Sequence, residues 1–393
     1  MENKINQRIL ALDILRGITI AGMILVNNPG SWSYVYAPLG HAKWNGLTPT
    51  DLVFPFFMFI MGISMFISLS KYRFELSMPA VKKIVKRTIL LYLVGLGIAW
   101  FSLTCRIFNG LGGENLPFVE RLGRAMWNFD EIRILGVIPR LAVCYGVVSL
   151  IVISIKHQYI LPLIVFILIS YFALLMVGNG FEYNQTNILS IVDYKILGEQ
   201  HMYNDNGIDP EGVLSTIPAI AHVLLGFFIG KMIMNTRDIH QKMERLFIVG
   251  GLLTFFGFLL SYGCPINKKT WSPTFVVTTI GLASTLLALL IWTIDIKGYK
   301  KWCRFFEVFG INPLFMYVLG AFLSIILGNI MIEQISGSIQ TSTYTSLKSW
   351  IYSDVLQPIF NDYPGSLIYA LLFVGFNWIF GYYLYKKRIY IKL

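Results

Sequence analysis

The sequence predicts an all-α, polytopic integral membrane protein of about ten transmembrane helices, with both termini in the cytoplasm. Three observations carry this. The chain has 393 residues, of which 55% are hydrophobic and only 13% charged. Soluble domains average about 25% charged residues, so little of this chain can face water. Its mean hydropathy is +0.63. Apolar runs near the length of a bilayer span, about 20 residues, recur from one end to the other. One membrane domain over 1–393 is therefore expected instead of two soluble ones.

Read in order, the spans fall at 9–27, 51–70, 83–104, 133–155, 159–178, 213–234, 244–263, 273–296, 305–330 and 365–386. An eleventh apolar stretch, around 343–360, reads as a re-entrant or interfacial segment. A cytoplasmic N-terminus puts 21 Lys and Arg on the inner side and nine on the outer side, with Arg16 and Arg140 inside spans. That asymmetry follows the positive-inside rule. Loops 105–132, 179–212 and 331–364 then face outward. Their Gly, Asn, Asp and Pro content predicts structured turns and a periplasmic cap.

The formal net charge of +11 raises nucleic acid as a partner. Nucleic-acid binders cluster their basic residues on one exposed face. Here the basic residues sit in short loops between apolar runs, which excludes that class. The first apolar run is too long for a signal peptide core and lacks a cleavage site. The four cysteines form no CxxC or metal spacing, so no metal is expected. Cys105 and Cys264 both fall near outer span ends, where a disulfide or two free thiols would fit.

Two polar groups lie inside the first span. Asp13 and Arg16 are three residues apart and share a helix face. Intramembrane charge is costly and marks either a structural ion pair or a functional one. Asn27 lies about three turns further out. The next segment reads His41-Ala42-Lys43-Trp44-Asn45-Gly46-Leu47-Thr48-Pro49-Thr50-Asp51. Thr48 or Thr50 suits a helix cap, and Asp51 suits the first turn, where it opposes the helix dipole. Pro55 is expected to kink that helix. An imidazole titrates near neutral pH and serves as a general base or as an acyl carrier. Trp44 offers a flat apolar face of the kind on which sugars stack. His222, in the sixth span, reads as a core histidine or a cavity-lining one. His201, in the acidic 179–212 loop, is a weaker candidate.

These residues resemble a known family. The run Asp13-Ile14-Leu15-Arg16-Gly17, then Asn27, then His41 through Thr48 and Asp51 through Pro55, ending at Gly62, is similar to the N-terminal signature of heparan-α-glucosaminide N-acetyltransferases. Gly136-Val137-Ile138-Pro139-Arg140 resembles the family's fourth-span motif, with Pro139 where Gln is usual. Asp209-Pro210-Glu211-Gly212, Pro265-Ile266-Asn267-Lys268-Lys269-Thr270-Trp271-Ser272 and Asn312-Pro313 match further motifs in order. The lysosomal members carry an extra lumenal domain before the first span. With eight residues there, this chain is expected to be a bacterial, multi-pass inner-membrane member.

The resemblance implies acetyl transfer from cytoplasmic acetyl-CoA to the amine of a terminal glucosamine-type sugar on the periplasmic side. It places His41 and Asn27 in the catalytic role. Beside them, the chemistry of the residues makes Asp51, Asp13 and Arg16 candidates for supporting roles and Trp44, Asn45 and His222 candidates for the acceptor site. Arg16, Arg140 and Lys269 become candidates for the phosphates of acetyl-CoA, since guanidinium and ammonium groups suit phosphate. A homodimer is implied as well. Two rival readings remain at this stage. Intramembrane charge and ten spans also fit an amino-sugar or oligosaccharide transporter, and the same acyl donor would serve a polysaccharide O-acyltransferase.

Overall fold

The computed structural model describes residues 9–113, 116–336 and 341–391. The remaining residues, at both termini and within the predicted 105–132 and 331–364 loops, lie outside the described set. The chain is helical almost throughout. Along it run α1 (Leu10–Val26), α2 (Pro49–Leu69), α3 (Met78–Gly110), α4 (Phe118–Met126), α5 (Val137–Ser154), α6 (Ile160–Val177) and α7 (Ile188–Leu197). They are followed by α8 (Thr216–Asn235), α9 (Ile239–Leu260), α10 (Pro273–Leu290), α11 (Cys303–Ile311) and α12 (Pro313–Asn329). A β-hairpin comes next: β1 (Met331–Ser336) pairs antiparallel with β2 (Thr341–Ser346), with Met331 opposite Ser346. The chain closes with the short α13 (Leu347–Trp350) and α14 (Gln357–Phe360) and the long α15 (Asp362–Lys386).

Among the described residues, eight helices are long and apolar enough to cross a membrane, and nine if a bent pair is taken as one span. This differs from the predicted ten in two places. The 9–27 span is the 17-residue α1, about 25 Å long at 1.5 Å per residue and so somewhat short of a bilayer core. The 305–330 span is α11 and α12, which meet at 87°. Pro313 explains the break: it has no N–H for the helix ladder and pushes the residue before it out of the helical region. Asn312 duly sits at φ −122°, ψ 58°. The 343–360 stretch holds α13, a π turn at Ile351–Leu356 and α14, too short together to span.

Burial divides the helices into two sets. In their most apolar stretches α2, α5, α8 and α10 are 61–72% buried, whereas α3, α6, α9 and α15 are 17–33% buried. The first set is the core, and the second is left with an apolar face turned outward, as a bilayer-facing helix requires. Backbones approach closely at small residues. A Cβ on Gly62 would lie 2.4 Å from the Val223 carbonyl oxygen, and one on Gly226 would lie 2.6 Å from that of Phe59. Only glycine allows α2 and α8 to pack this tightly, as is common in membrane bundles. Gly17 and Gly310 do the same where α1 crosses α11.

Among the described residues the four cysteines are free, so Cys105 and Cys264 do not pair. The segments expected to face outward carry structure of their own: α4 within 105–132, α7 within 179–212, and the hairpin within 331–364.

Candidate active site

The site is built where α1 ends and α2 begins. Thr48 is the N-cap of α2, and Pro49 fills the first helical position, where a missing N–H costs nothing. Asp51, three residues after the cap, completes a capping box with Thr48. Its Oδ2 accepts from the backbone N–H of Thr48 and of Ala42, each at 3.1 Å. Its Oδ1 lies 2.7 Å from His41 Nδ1. One carboxylate thus caps the helix with one oxygen and holds the imidazole with the other. The helix-cap reading of Asp51 holds, and the same carboxylate touches His41. α2 runs unbroken through Pro55.

The 2.7 Å contact to a carboxylate puts a proton on Nδ1, and in the neutral ring Nε2 then carries the lone pair. His41 is 44% exposed and Asp51 only 1%. A buried carboxylate therefore steers an imidazole whose other edge is open. This is the base-plus-orienter arrangement that proton-transfer sites use.

The loop from His41 to Thr48 is docked on its neighbours. Gly46 N–H donates to the Ile266 carbonyl at 2.8 Å, and Asn267 Nδ2 donates to Asn45 Oδ1 at 3.0 Å. Trp44 stacks on Tyr183 at 4.7 Å, and its Nε1 donates to the Phe181 carbonyl at 2.8 Å. One face and the polar tip of the indole are thus already engaged. Lys269 reaches Asp205 at 2.5 Å and Tyr183 Oη at 3.1 Å. Burial lowers its proton affinity, but Asp205 and Tyr183 outweigh that and leave it raised. Lys269 therefore braces the loop wall at the His41 end.

A second layer lies under the first, in the interior. Trp271 is buried, and the Arg140 guanidinium sits 4.5 Å from its ring centre. Arg140 Nη1 donates to the Pro210 carbonyl at 2.7 Å, and Nη2 donates to that of Ser215. His222 is fully buried, meets Trp271 edge-on and donates from Nε2 to the Pro55 carbonyl at 2.9 Å. Arg140 therefore ties α5 to the segment that leads into α8. Nearby, Arg133 bridges Asp209 at 2.6 Å and Glu211 at 2.8 Å. Burial holds the Asp209 carboxyl above the usual range despite Arg133, whereas Arg133 and Arg140 outweigh burial at Glu211 and hold it below. Asp193 accepts from the Val213 and Leu214 amides, and burial pushes it up to about 6.

The other sequence candidates lie apart from His41 or have no recorded contact with it. Asn27 ends α1 at the same end of the bundle, exposed, its backbone N–H bonded to the Met23 carbonyl. Arg16 pairs with Asp13 at 3.2 Å and donates to Ser64 Oγ on α2 at 2.9 Å. His201 bonds the Ile132 carbonyl through Nδ1 at 2.8 Å. Arg16, Arg140 and Lys269 are not brought together.

Sequence reasoning passed over Lys268 except as a loop cation in a family motif. Its ammonium is 3.1 Å from His41 Nδ1 and 3.6 Å from Asp51 Oδ1. Burial lowers its proton affinity, and Asp51 and Glu211 only partly oppose that. No local signal marks this contact, because the two residues are 227 positions apart.

Residues 8–262 match the family model described as "Heparan-alpha-glucosaminide N-acetyltransferase, catalytic". The chain belongs to this family. It is 28% identical over 375 residues to the heparan-alpha-glucosaminide N-acetyltransferase of Homo sapiens, an alignment covering 79% of this chain and 52% of that protein. The Mus musculus protein of the same name is 27% identical over 369 residues, covering 79% and 53%. The chain thus spans about half the length of the curated relatives it matches. The matched region contains the His41–Asp51 pair and ends just before the Lys268 loop.

Proposed function

We propose that this protein is a transmembrane acetyltransferase that moves acetyl from acetyl-CoA to the amine of a glucosamine-type sugar. The observation that carries the reading is the His41–Asp51 pair, 2.7 Å apart on a partly exposed imidazole, inside the region matched by a catalytic family model. Both relatives above carry the name of that activity.

In the reaction, an amine attacks the thioester carbonyl carbon with its lone pair. A protonated amine has none, so His41 Nε2 removes the proton. The new C–N bond forms a tetrahedral centre bearing an oxyanion. Asn27, at the end of α1, donates to that oxygen from its side-chain amide. The C–S bond breaks, the nitrogen gives up its second proton to the departing sulfur, and CoA leaves as the thiol while the proton held by His41 passes to solvent. In a two-step variant Nε2 itself takes the acetyl group and passes it to the amine. Asp51 stabilises the imidazolium in the first case and orients the ring in both. Trp44 and Asn45 border the acceptor, with His222 beneath.

The lysine and arginine bias supports an outward-facing His41, on the periplasmic side if the membrane is a bacterial inner one, under a cap formed by loops 105–132, 179–212 and 331–364. Acetyl-CoA then enters from the cytoplasmic end, along the first, second and fourth spans, the first of which carries Asp13 and Arg16. Arg140 and Lys269 sit at the His41 end, so Arg16, in the opposite half of α1 from Asn27, is the better candidate of the three for the CoA side. The working unit is taken as a homodimer.

The test is transfer of radiolabelled acetyl from acetyl-CoA to glucosamine by purified protein in detergent, with His41→Ala beside it. N-acetylated product from wild type only, with a loss of at least about 10³-fold in the variant, is expected. Product from the variant at a wild-type rate overturns the role of His41. Absence of any CoA binding by folded wild-type protein overturns the acetyltransferase.

A further inference from the structure

The His41 site contains one more charge than the reaction above uses. An aspartate 2.7 Å from an imidazole, with nothing else nearby, favours a protonated ring, because the two then form an ion pair. An imidazolium has no lone pair and cannot accept a proton. The site therefore needs something that keeps Asp51 ionised without charging His41.

Lys268 is placed to do this. Its ammonium lies 3.6 Å from Asp51 Oδ1, and 3.1 Å and 3.5 Å from Nδ1 and Nε2 of His41. It is not a free-swinging side chain at the mouth. Its loop is pinned by Ser272 Oγ accepting from Asn267 N–H at 3.0 Å, by Thr270 N–H donating to Asn267 Oδ1 at 3.0 Å, and by Gly46 N–H on the Ile266 carbonyl. The Lys268 side chain is 16% exposed. Its neighbour Lys269 points away, to Asp205. The charges around the imidazole are thus Asp51 from α2 and Lys268 from the α9–α10 loop. Glu211, before α8, and Arg140, on α5, act on Lys268 from further off.

We propose that Lys268 is a positioning residue for His41: it takes over the charge pairing of Asp51, so the ring stays neutral with Nδ1–H on the carboxylate and Nε2 ready to accept a proton. The proposal rests on the reading of His41 as the base. It assigns the lysine no bond-making step. A cation touching both partners satisfies the carboxylate and repels a second positive charge on the ring, and both effects act in the same direction.

The test reads the ring directly. Diethyl pyrocarbonate carbethoxylates neutral imidazole, and peptide mass spectrometry isolates His41 from the other histidines. The rate at His41 is followed from pH 5 to 9 on the full chain in detergent, for wild type, Lys268→Met, Lys268→Gln and Lys268→Arg. Lys268→Met and Lys268→Gln are expected to move the midpoint upward by about one pH unit, slowing the reaction about tenfold below it. Lys268→Arg restores the wild-type midpoint. An unchanged midpoint in both neutral variants, each folded by elution and melting profile, overturns the proposal. A shift in Lys268→Met but not in Lys268→Gln also overturns it, because packing and not charge would then be the cause. Acetyl transfer to glucosamine is measured on the same samples. A shifted midpoint without transfer would sink the acetyltransferase and keep the lysine's role; transfer with an unshifted midpoint does the reverse.

Discussion

His41 and His222 are the same side chain in two opposite settings, joined by one turn of chain. Lys268, at the start of that turn, touches His41; Trp271, at its end, packs against His222, and Trp271 N–H donates to the Lys268 carbonyl at 3.1 Å. His41 has a carboxylate on one nitrogen, a lysine beside the ring and a partly exposed edge. His222 has a carbonyl on one nitrogen and only protein around the rest. The difference teaches that chemistry here follows from what an imidazole faces. His41 has a partner that stabilises positive charge and room for a substrate. His222 has neither, and its hydrogen bond to Pro55 ties α8 to α2.

The comparison is sharpest at Asp51. Asp51→Asn removes the charge that steers the ring and one acceptor of the Ala42 and Thr48 amides. Acetyl transfer is expected to fall roughly 10²–10³-fold, by analogy with the loss of a base or its orienter, in a protein that still elutes as wild type. Initial rates at saturating acetyl-CoA check this. Activity near wild type would put His41 on the same footing as His222.

Arg140 tests the inner layer. Arg140→Met fills similar space but leaves the Pro210 and Ser215 carbonyls without donors. A destabilisation of about 3 kcal/mol is expected, in line with breaking a buried charged hydrogen-bond set. Thermal melting in detergent measures it. A wild-type melting temperature would show that the inner layer is not held by this guanidinium.

Asp193 gives the layer a pH dependence. Its folded-state value of about 6 lies above that of an unfolded aspartate, so the folded protein binds the proton more tightly. Its contribution is then fully present at pH below about 4 and is lost as pH rises through about 6. Asp193→Asn is expected to flatten that part of the stability–pH curve, keeping the amide bonds of Val213 and Leu214 on its side-chain oxygen. An identical slope from pH 4 to 7 in both proteins would overturn this.

The smallest effect is expected at His222. His222→Gln can still donate to Pro55, and a loss of about 1 kcal/mol with acetyl transfer within about threefold of wild type follows from a purely structural role. A hundredfold loss of rate at unchanged stability would move His222 into the chemistry and erase the contrast with His41.

What the sequence determined by itself was local. Apolar runs marked eight spans that the structure contains as long apolar helices. Thr48, Pro49 and Asp51 wrote the start of α2, because a capping box needs only residues three apart. The Asp13–Arg16 pair followed from helical spacing alone. His41 stood out because an imidazole among Trp44, Asn45 and Gly46 is chemically unusual at a span entry.

Tertiary structure decided the rest. Pro313 was visible, but the 87° bend it permits depends on what α11 and α12 pack against. Arg140 and Lys269 read as phosphate binders, since charge type is visible in sequence while direction is not. Packing turned one onto Trp271 and two carbonyls and the other onto Asp205. Lys268 was invisible as a partner of His41 because helical and capping signals act over a few residues. A contact between residues 227 apart exists only once α2, α8 and α10 have closed against one another.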